Sequence, residues 1–388
     1  MLNFTHHIPT TVYFGKGQII ALSDELKKRA TKLLLVTGQG SIKKNGIFNE
    51  TIKQIKKAGI PYTELSGIIP NPRLKSVCKG IEICKKECID FILAVGGGSV
   101  IDAAKAMAIG AKYDGDVWDF FTKHIPCKNA LPLGTILTLA ATGSEMNGNT
   151  VITKEDTKRK LAYGSALLRP VFSILDPEYT YTVNKYHTAA GVVDIMVHIF
   201  EQYFSHTTGS YVQDRLAEAL LKTCIYYGPI VCKKPKDYQA RANILWAGSL
   251  ALNKLIGEGK EEDWASHAIE HELSAIYDIS HGAGLAIISP NWMKHVLNEK
   301  TLDKFVEYGV NVWGIESAKD KMSIANKAID KTREFFNSLA MPSQLSQINI
   351  SDEKFQDMAK NAIKSWGQVG SFKQLSEKDI VKILSLSL

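Results

Sequence analysis

The sequence predicts an α/β protein: an N-terminal Rossmann-like, parallel-sheet domain followed by an all-helical C-terminal domain. Three observations carry this reading. Short apolar runs alternate with longer amphipathic stretches as far as about residue 180, the rhythm of strand, helix and strand in a sheet covered by helices. One strand-like run ends in Gly96-Gly97-Gly98-Ser99, where a helical pattern begins; exposed N–H groups and the helix dipole suit such a turn to a pyrophosphate. Beyond Pro177 the strand-like runs stop, and two apolar segments carry polar pairs four residues apart, Asp194/His198 and His267/His271.

At 388 residues the chain fits two domains. The change of style near 178–184 places them at 1–182 and 183–388. A hydrophobic content of 45% with 22% charged residues is that of an ordinary globular protein. The net charge of +7 comes from 47 basic and 40 acidic residues. Lysines such as Lys27, Lys28, Lys53, Lys56 and Lys57 are spread over helix faces and form no block interleaved with aromatics, which argues against nucleic acid as a partner. No apolar run approaches the ~20 residues that span a bilayer. The opening Met-Leu-Asn-Phe-Thr-His-His shows no charged flank before an apolar stretch. Six cysteines in a chain of this length suit a reducing compartment, so a cytoplasmic location is expected. Cys84 and Cys88 continue a stripe with Val77 and Ile81 and are read as buried hydrophobes.

In chain order, strands are expected at 11–14, 32–37, 91–95 and 131–138, and helices at 47–59, 74–89 and 99–111. A β-rich stretch covers Thr150–Thr153, Lys160–Tyr163 and Phe172–Pro177, and helices follow from about 186. In the glycine-rich turn Ser99 is placed as N-cap, with Asp102 reaching back in a short capping box. The spacing is not G-x-G-x-x-G, and it follows a later strand than that fingerprint does. An earlier turn, Thr37-Gly38-Gln39-Gly40-Ser41-Ile42-Lys43-Lys44, has no carboxylate to hold a ribose 2′-hydroxyl. It favours NADP(H), with NAD(H) alongside. Thr138 to Asn147 puts hydroxyl and amide groups at the C-terminal end of a strand, the edge where open α/β sheets bind ligands.

Charged and imidazole groups on apolar helices are costly unless paired or bound to a metal. Asp194, His198, His267 and either His271 or His281 could converge on one divalent ion. A rival pattern is present, because His267-Ala-Ile-Glu270-His271 matches the H-x-x-E-H of inverted zinc peptidases, in which the glutamate is the base. That reading leaves the glycine-rich first half, Asp194, His198 and His281 without a role.

The chain resembles the iron-containing (group III) alcohol dehydrogenases, most closely their NAD(P)H-dependent butanol dehydrogenase branch. The resemblance rests on Pro70-Asn71-Pro72, Ala94 to Asp102, Thr138 to Asn147, Leu175-Asp176-Pro177, Asp194-x-x-x-His198, His267-x-x-x-His271 and His281. It implies Asp194, His198, His267 and His281 as metal ligands, and His271 as a proton relay beside the nicotinamide. It places Gly97, Gly98, Ser99 and Asp102 at the pyrophosphate, and Thr138, Thr142 and Lys160 at the ribose and nicotinamide. Gly38, Gln39 and Ser41 fall in the cofactor-selecting turn, and Asn71 and Asn147 are carried over as further cofactor contacts. The activity implied is hydride transfer between NAD(P)H and a short-chain aldehyde such as butyraldehyde, reversible to oxidation of the alcohol, with Fe²⁺ or Zn²⁺ as the ion. A homodimer is implied as well. The alternative is a dehydroquinate-synthase-like or glycerol-dehydrogenase-like enzyme of the same architecture.

Overall fold

A computed structural model describes residues 1–317 and 319–388. Contacts divide the chain into two units, one formed by His7–Val183 with Pro235–Ser249, the other by Met1–His6, Asn184–Lys234 and Leu250–Leu388. The first six residues and a later segment therefore cross the single boundary that the change in sequence style suggests.

In the α/β unit the elements run β1 (Thr11–Phe14), α1 (Leu22–Arg29), β2 (Leu33–Gly38), α2 (Ser41–Lys44), α3 (Ile47–Ala58), β3 (Tyr62–Ile68), α4 (Leu74–Lys86), β4 (Phe91–Gly96), α5 (Gly98–Gly110), α6 (Trp118–Lys123), β5 (Leu133–Leu137), β6 (Asn149–Lys154), β7 (Arg159–Gly164) and β8 (Phe172–Leu175). Six strands form one sheet in the order β1-β8-β5-β4-β2-β3, and every pairing is parallel. β2 and β4 read as unbroken apolar runs because both faces of the sheet are covered. β6 and β7 stand apart as an antiparallel ribbon.

β3, which the sequence does not announce, is an edge strand. Only Leu65 and Ile68 are buried along Tyr-Thr-Glu-Leu-Ser-Gly-Ile, so it lacks the apolar run that marks its neighbours. From β2 the chain steps outward to β3, then back across β2 to β4. That reversal puts the switch point of the sheet at the C-terminal ends of β2 and β4, where the turns Gly38–Ser41 and Gly96–Ser99 lie.

The chain continues as α7 (Lys185–Tyr203), α8 (Tyr211–Lys233), α9 (Tyr238–Ala251), α10 (Ala265–Tyr277), α11 (His281–Val296), α12 (Leu302–Asn311), α13 (Lys321–Ser338), α14 (Phe355–Trp366) and α15 (Glu377–Leu386). No β-strand occurs among the described residues after β8. Asn184 caps α7, its side chain accepting from the His187 N–H at 2.8 Å. In the helical unit α7 packs on α8 and α11, and α10 packs on α11 and α14. The α7–α11 contact is close. A Cβ on Gly282 would stand 2.1 Å from the Ala190 carbonyl oxygen, so only glycine lets α11 approach α7 there.

Candidate metal centre and dinucleotide loop

The apolar helix α7 carries Asp194 and His198 one turn apart, and α10 carries His267 and His271 in the same way. His281 opens α11 as its first residue, and Asp278 in the left-handed conformation (φ 52°) turns the chain between α10 and α11. Trp264, also left-handed at φ 64°, precedes α10, with its ring edge-on to His267 at 5.2 Å and to His198 at 6.2 Å. Three helices therefore deliver the polar groups.

The ligand atoms of Asp194, His267 and His281 all lie within 4.8 Å of one another. Asp194 Oδ1 is 3.5 Å from His198 Nδ1, 3.9 Å from His267 Nε2 and 3.6 Å from His281 Nε2. A tetrahedral ion with bonds of about 2.0–2.1 Å separates its donor atoms by about 3.3–3.4 Å. Asp194, His267 and His281 thus come together as one donor group, while His198, which is outside that group, brings its Nδ1 to Asp194. Asp194 Oδ1, His198 Nδ1 and His267 Nε2 are buried and make no hydrogen bond in this structure, a donor chemistry that fits a cation. The His198 and His267 rings stack at 4.6 Å.

Electrostatics agree with a cation site. Burial pushes the Asp194 carboxyl up, but the imidazoles of His198, His267 and His281 outweigh it and hold the group well below the usual carboxylate range. Burial prevails at His198, pushed down to about 3 against the attraction of Asp194. At His267 burial is outweighed by Asp194 and Glu201, which raise it to about 9.

A second group, Glu270, His271 and His281, also brings its donor atoms together. Glu270 is fully buried, and its oxygens meet His281 Nδ1 and Ser274 Oγ. Both oxygens are engaged within the protein, and His267 and His271 do not fall in one donor group, which speaks against the H-x-x-E-H reading. His271 lies 5.6 Å from His281 and 5.8 Å from Trp366, ring to ring. It stands beside the donor set and not within the Asp194 group.

In the α/β unit α5 begins at Gly98, directly after β4, with Gly97 at the N-cap and no side-chain cap bond. The expected Ser99–Asp102 capping box is absent, because Asp102 is drawn elsewhere. Its Oδ1 accepts from Ser144 Oγ at 2.6 Å, and its Oδ2 accepts from the Val151 N–H at 3.0 Å. Asn147 is committed to the protein in the same way: its Oδ1 accepts from Lys105 Nζ and the Asn149 N–H, and its Nδ2 donates to the Thr142 carbonyl.

Lys105, fully buried on α5, donates to Ser144 Oγ, the Asn147 carbonyl and the Asn149 carbonyl at 2.8–2.9 Å. This network braces the 142–149 loop against α5. Thr142 then sits so near α5 that a Cβ on Gly98 would come within 2.3 Å of its Oγ1. Thr138 donates its N–H to the Gly96 carbonyl at 3.1 Å, which puts it beside the glycine turn. Burial raises the Asp102 carboxyl, and the charge of Lys160, itself buried on β7, is among the groups that work against that rise. Asn71 takes a left-handed conformation (φ 51°) between β3 and α4.

Gln39 and Ser41 are exposed after β2. Lys43, one turn on, is spoken for: its Nζ lies 2.8 Å from Glu64 on β3 and 4.6 Å from the Phe48 ring centroid. Sequence reasoning missed Glu64, Lys105 and Glu201. The last two were detectable, because Asp102/Lys105 is a charge pair in an otherwise apolar helix, and Glu201 shares the face of Asp194 and His198.

The class that this fold and donor set define is confirmed by similarity over the whole chain. Residues 9–177 match the model of iron-containing alcohol dehydrogenase, and residues 188–388 match that of the Fe-containing alcohol dehydrogenase family, C-terminal. The chain belongs to this iron-containing alcohol dehydrogenase family. It is 51% identical to NADH-dependent butanol dehydrogenase A of Clostridium acetobutylicum, over 100% of both chains. It is 39% identical to the NADPH-dependent aldehyde reductase YqhD of Escherichia coli, covering 93% of this chain and 92% of that one. The crystal structure of NADH-dependent butanol dehydrogenase A from Thermotoga maritima superposes with a TM-score of 0.96 at 39% identity, over 100% of this chain and 99% of that one. These relatives support the alcohol dehydrogenase reading and not the synthase-like or glycerol-dehydrogenase-like alternative.

Proposed function

We propose that this protein is a metal-dependent alcohol dehydrogenase that reduces a short-chain aldehyde such as butyraldehyde with NADH or NADPH, and oxidises the primary alcohol in reverse. The observation that carries the proposal is the convergence of donor atoms from α7, α10 and α11, three of them buried without a hydrogen bond, in a chain of this family. Asp194, His198, His267 and His281 hold the ion. An imidazole and carboxylate set suits Fe²⁺ and Zn²⁺ alike.

When bound, the ion supplies Lewis acidity at the carbonyl oxygen and the nicotinamide supplies the hydride. Asp194 is the one anion among the four donors, so the set cancels only part of a divalent charge. His271, next to His281, holds or passes a proton at a ring nitrogen as the alcohol forms. The N–H groups of Gly97, Gly98 and Ser99 at the start of α5 face the pyrophosphate. Thr138, Thr142, Lys160 and Asn71 line the ribose and nicotinamide, while Asp102 and Asn147 support them from behind. Gly38, Gln39 and Ser41 receive the adenosine ribose. The pairing of Lys43 with Glu64 tempers the preference for a 2′-phosphate, so both nicotinamides serve.

We infer further that the enzyme is a cytoplasmic homodimer. No helix among the described residues is long and apolar enough to cross a membrane, and the cysteines are free. The sheet edge at β1 pairs only with β8, and Phe14 and Trp246 lie exposed there, edge to face at 5.7 Å. The test of the activity is an assay of the metal-loaded protein with NADH or NADPH and butyraldehyde, followed at the nicotinamide absorbance. Aldehyde-dependent oxidation is expected. None, with metal bound, refutes the proposal.

A further inference from the structure

Glu270, offered by its spacing as a peptidase base, has no part in the chemistry proposed above. Its setting is nonetheless specific. It sits on the buried side of α10, with one oxygen on His281 Nδ1 and the other receiving Ser274 Oγ–H. α11 leaves room for it: a Cβ on Gly284 would fall 2.7 Å from Glu270 Cγ.

A second carboxylate repeats the arrangement on α7. Glu201 Oε1 lies 2.9 Å from His267 Nδ1 and also accepts the His267 backbone N–H at 3.0 Å. Both glutamates are essentially without solvent access. In each pair Nδ1 faces the glutamate, and Nε2 is the nitrogen turned towards Asp194, at 3.9 Å for His267 and 3.6 Å for His281.

We infer that Glu201 and Glu270 are positioning residues of the metal centre, each fixing the tautomer and direction of one histidine so that the lone pair on Nε2 meets the ion. An imidazole whose Nδ1–H is held by a carboxylate keeps its ring in place and becomes a stronger donor at Nε2. A buried carboxylate would be costly without such a partner, and each finds it in an imidazole N–H. The inference rests on the proposed metal site and deepens it. It gives the site two anions beyond Asp194 and explains why the acid of the H-x-x-E-H pattern is needed although it touches no substrate.

The test uses the full-length protein, stripped with chelator and reloaded with Zn²⁺. The affinity is read by competition with a chromophoric chelator, and the visible spectrum is read after loading with Co²⁺. Glu270→Gln and Glu201→Gln keep size and remove charge. Each is expected to weaken Zn²⁺ binding by about 10- to 100-fold and to alter the Co²⁺ bands, while the circular dichroism of the metal-free protein is unchanged. Should a Gln variant fail to fold, Glu→Asp at the same position takes its place, because it keeps the charge but withdraws it from the imidazole. Wild-type Zn²⁺ affinity together with a wild-type Co²⁺ spectrum in the variants overturns this inference alone. A wild-type protein that binds no divalent ion overturns the proposed function and this inference with it.

Discussion

Asp194 Oδ1 and His281 Nε2 lie 3.6 Å apart, one in the middle of α7 and the other on the first residue of α11. The pair separates ligands from their neighbours. His281→Ala removes a donor of the Asp194 group, of which His271 is not a member. It is expected to strip the metal, as elemental analysis of the purified variant would show. His271→Ala is expected to retain the metal and lower kcat by about 10²- to 10⁴-fold, the usual scale for a positioned proton donor. Metal loss in the His271 variant would point back to the peptidase ligand set.

Gly282 governs how near α11 comes to α7. With a Cβ aimed at the Ala190 carbonyl from 2.1 Å, Gly282→Ala must push the helices apart. The expected cost is about 1–3 kcal/mol, as for other overpacked cores, accompanied by weaker metal binding. Urea denaturation with parallel metal analysis checks both.

Lys105 tests the dinucleotide half. Burial pulls its ammonium down to about 7, against Asp102 and Glu145, yet it holds Ser144, Asn147 and Asn149 at once. Lys105→Met leaves those acceptors and Asp102 buried without it. A loss of about 3–5 kcal/mol is expected, with KM for the nicotinamide raised more than KM for the aldehyde. Urea midpoints and steady-state kinetics with each substrate varied would show it.

On the proposed reading of the turn after β2, cofactor choice turns on Glu64. Its carboxylate answers the charge of Lys43 at 2.8 Å, and Glu64→Gln frees that charge for a 2′-phosphate. A partly exposed pair of this kind contributes up to about 1 kcal/mol, so kcat/KM for NADPH relative to NADH is expected to rise about fivefold at most. An unchanged ratio would remove Lys43 from the account of cofactor selection.

Asp379 links α15 to α11. Burial raises its carboxyl, but Ser376 and His295, at 2.6 and 2.8 Å, prevail and hold it well below its ordinary value. A carboxyl with a folded pKa below its unfolded one stabilises fully above the unfolded pKa and loses that contribution as pH falls through the folded one. Asp379→Asn is therefore expected to cost about 1 kcal/mol near pH 7, the value of a lost helix cap, and progressively less below about pH 4. Urea titrations of both proteins across that range decide it.

Much of this was legible in the chain. β2 and β4 announce themselves because both their faces are buried, and the i, i+4 pairs on α7 and α10 follow from helix geometry alone. β3 was hidden because it is an edge strand without an apolar run. Glu64 was hidden with it, since only the strand order brings β3 beside the turn after β2. The Ser99–Asp102 capping box looked sound locally and failed because Ser144, far along the chain, competes for the carboxylate. Spacing could not choose between His271 and His281. Resemblance implies His281, and in the structure its Nδ1 meets Glu270 while its Nε2 lies 3.6 Å from Asp194 Oδ1.

The central claim is that side chains from α7, α10 and α11 close on one cation. A crystal structure of the protein loaded with Zn²⁺ or Fe²⁺, with anomalous scattering at the metal edge, tests it most directly. The account predicts one ion per chain, bonded to Asp194, His198, His267 and His281. An ion held instead by Glu270 and His271, or none at these residues in fully loaded protein, would contradict it.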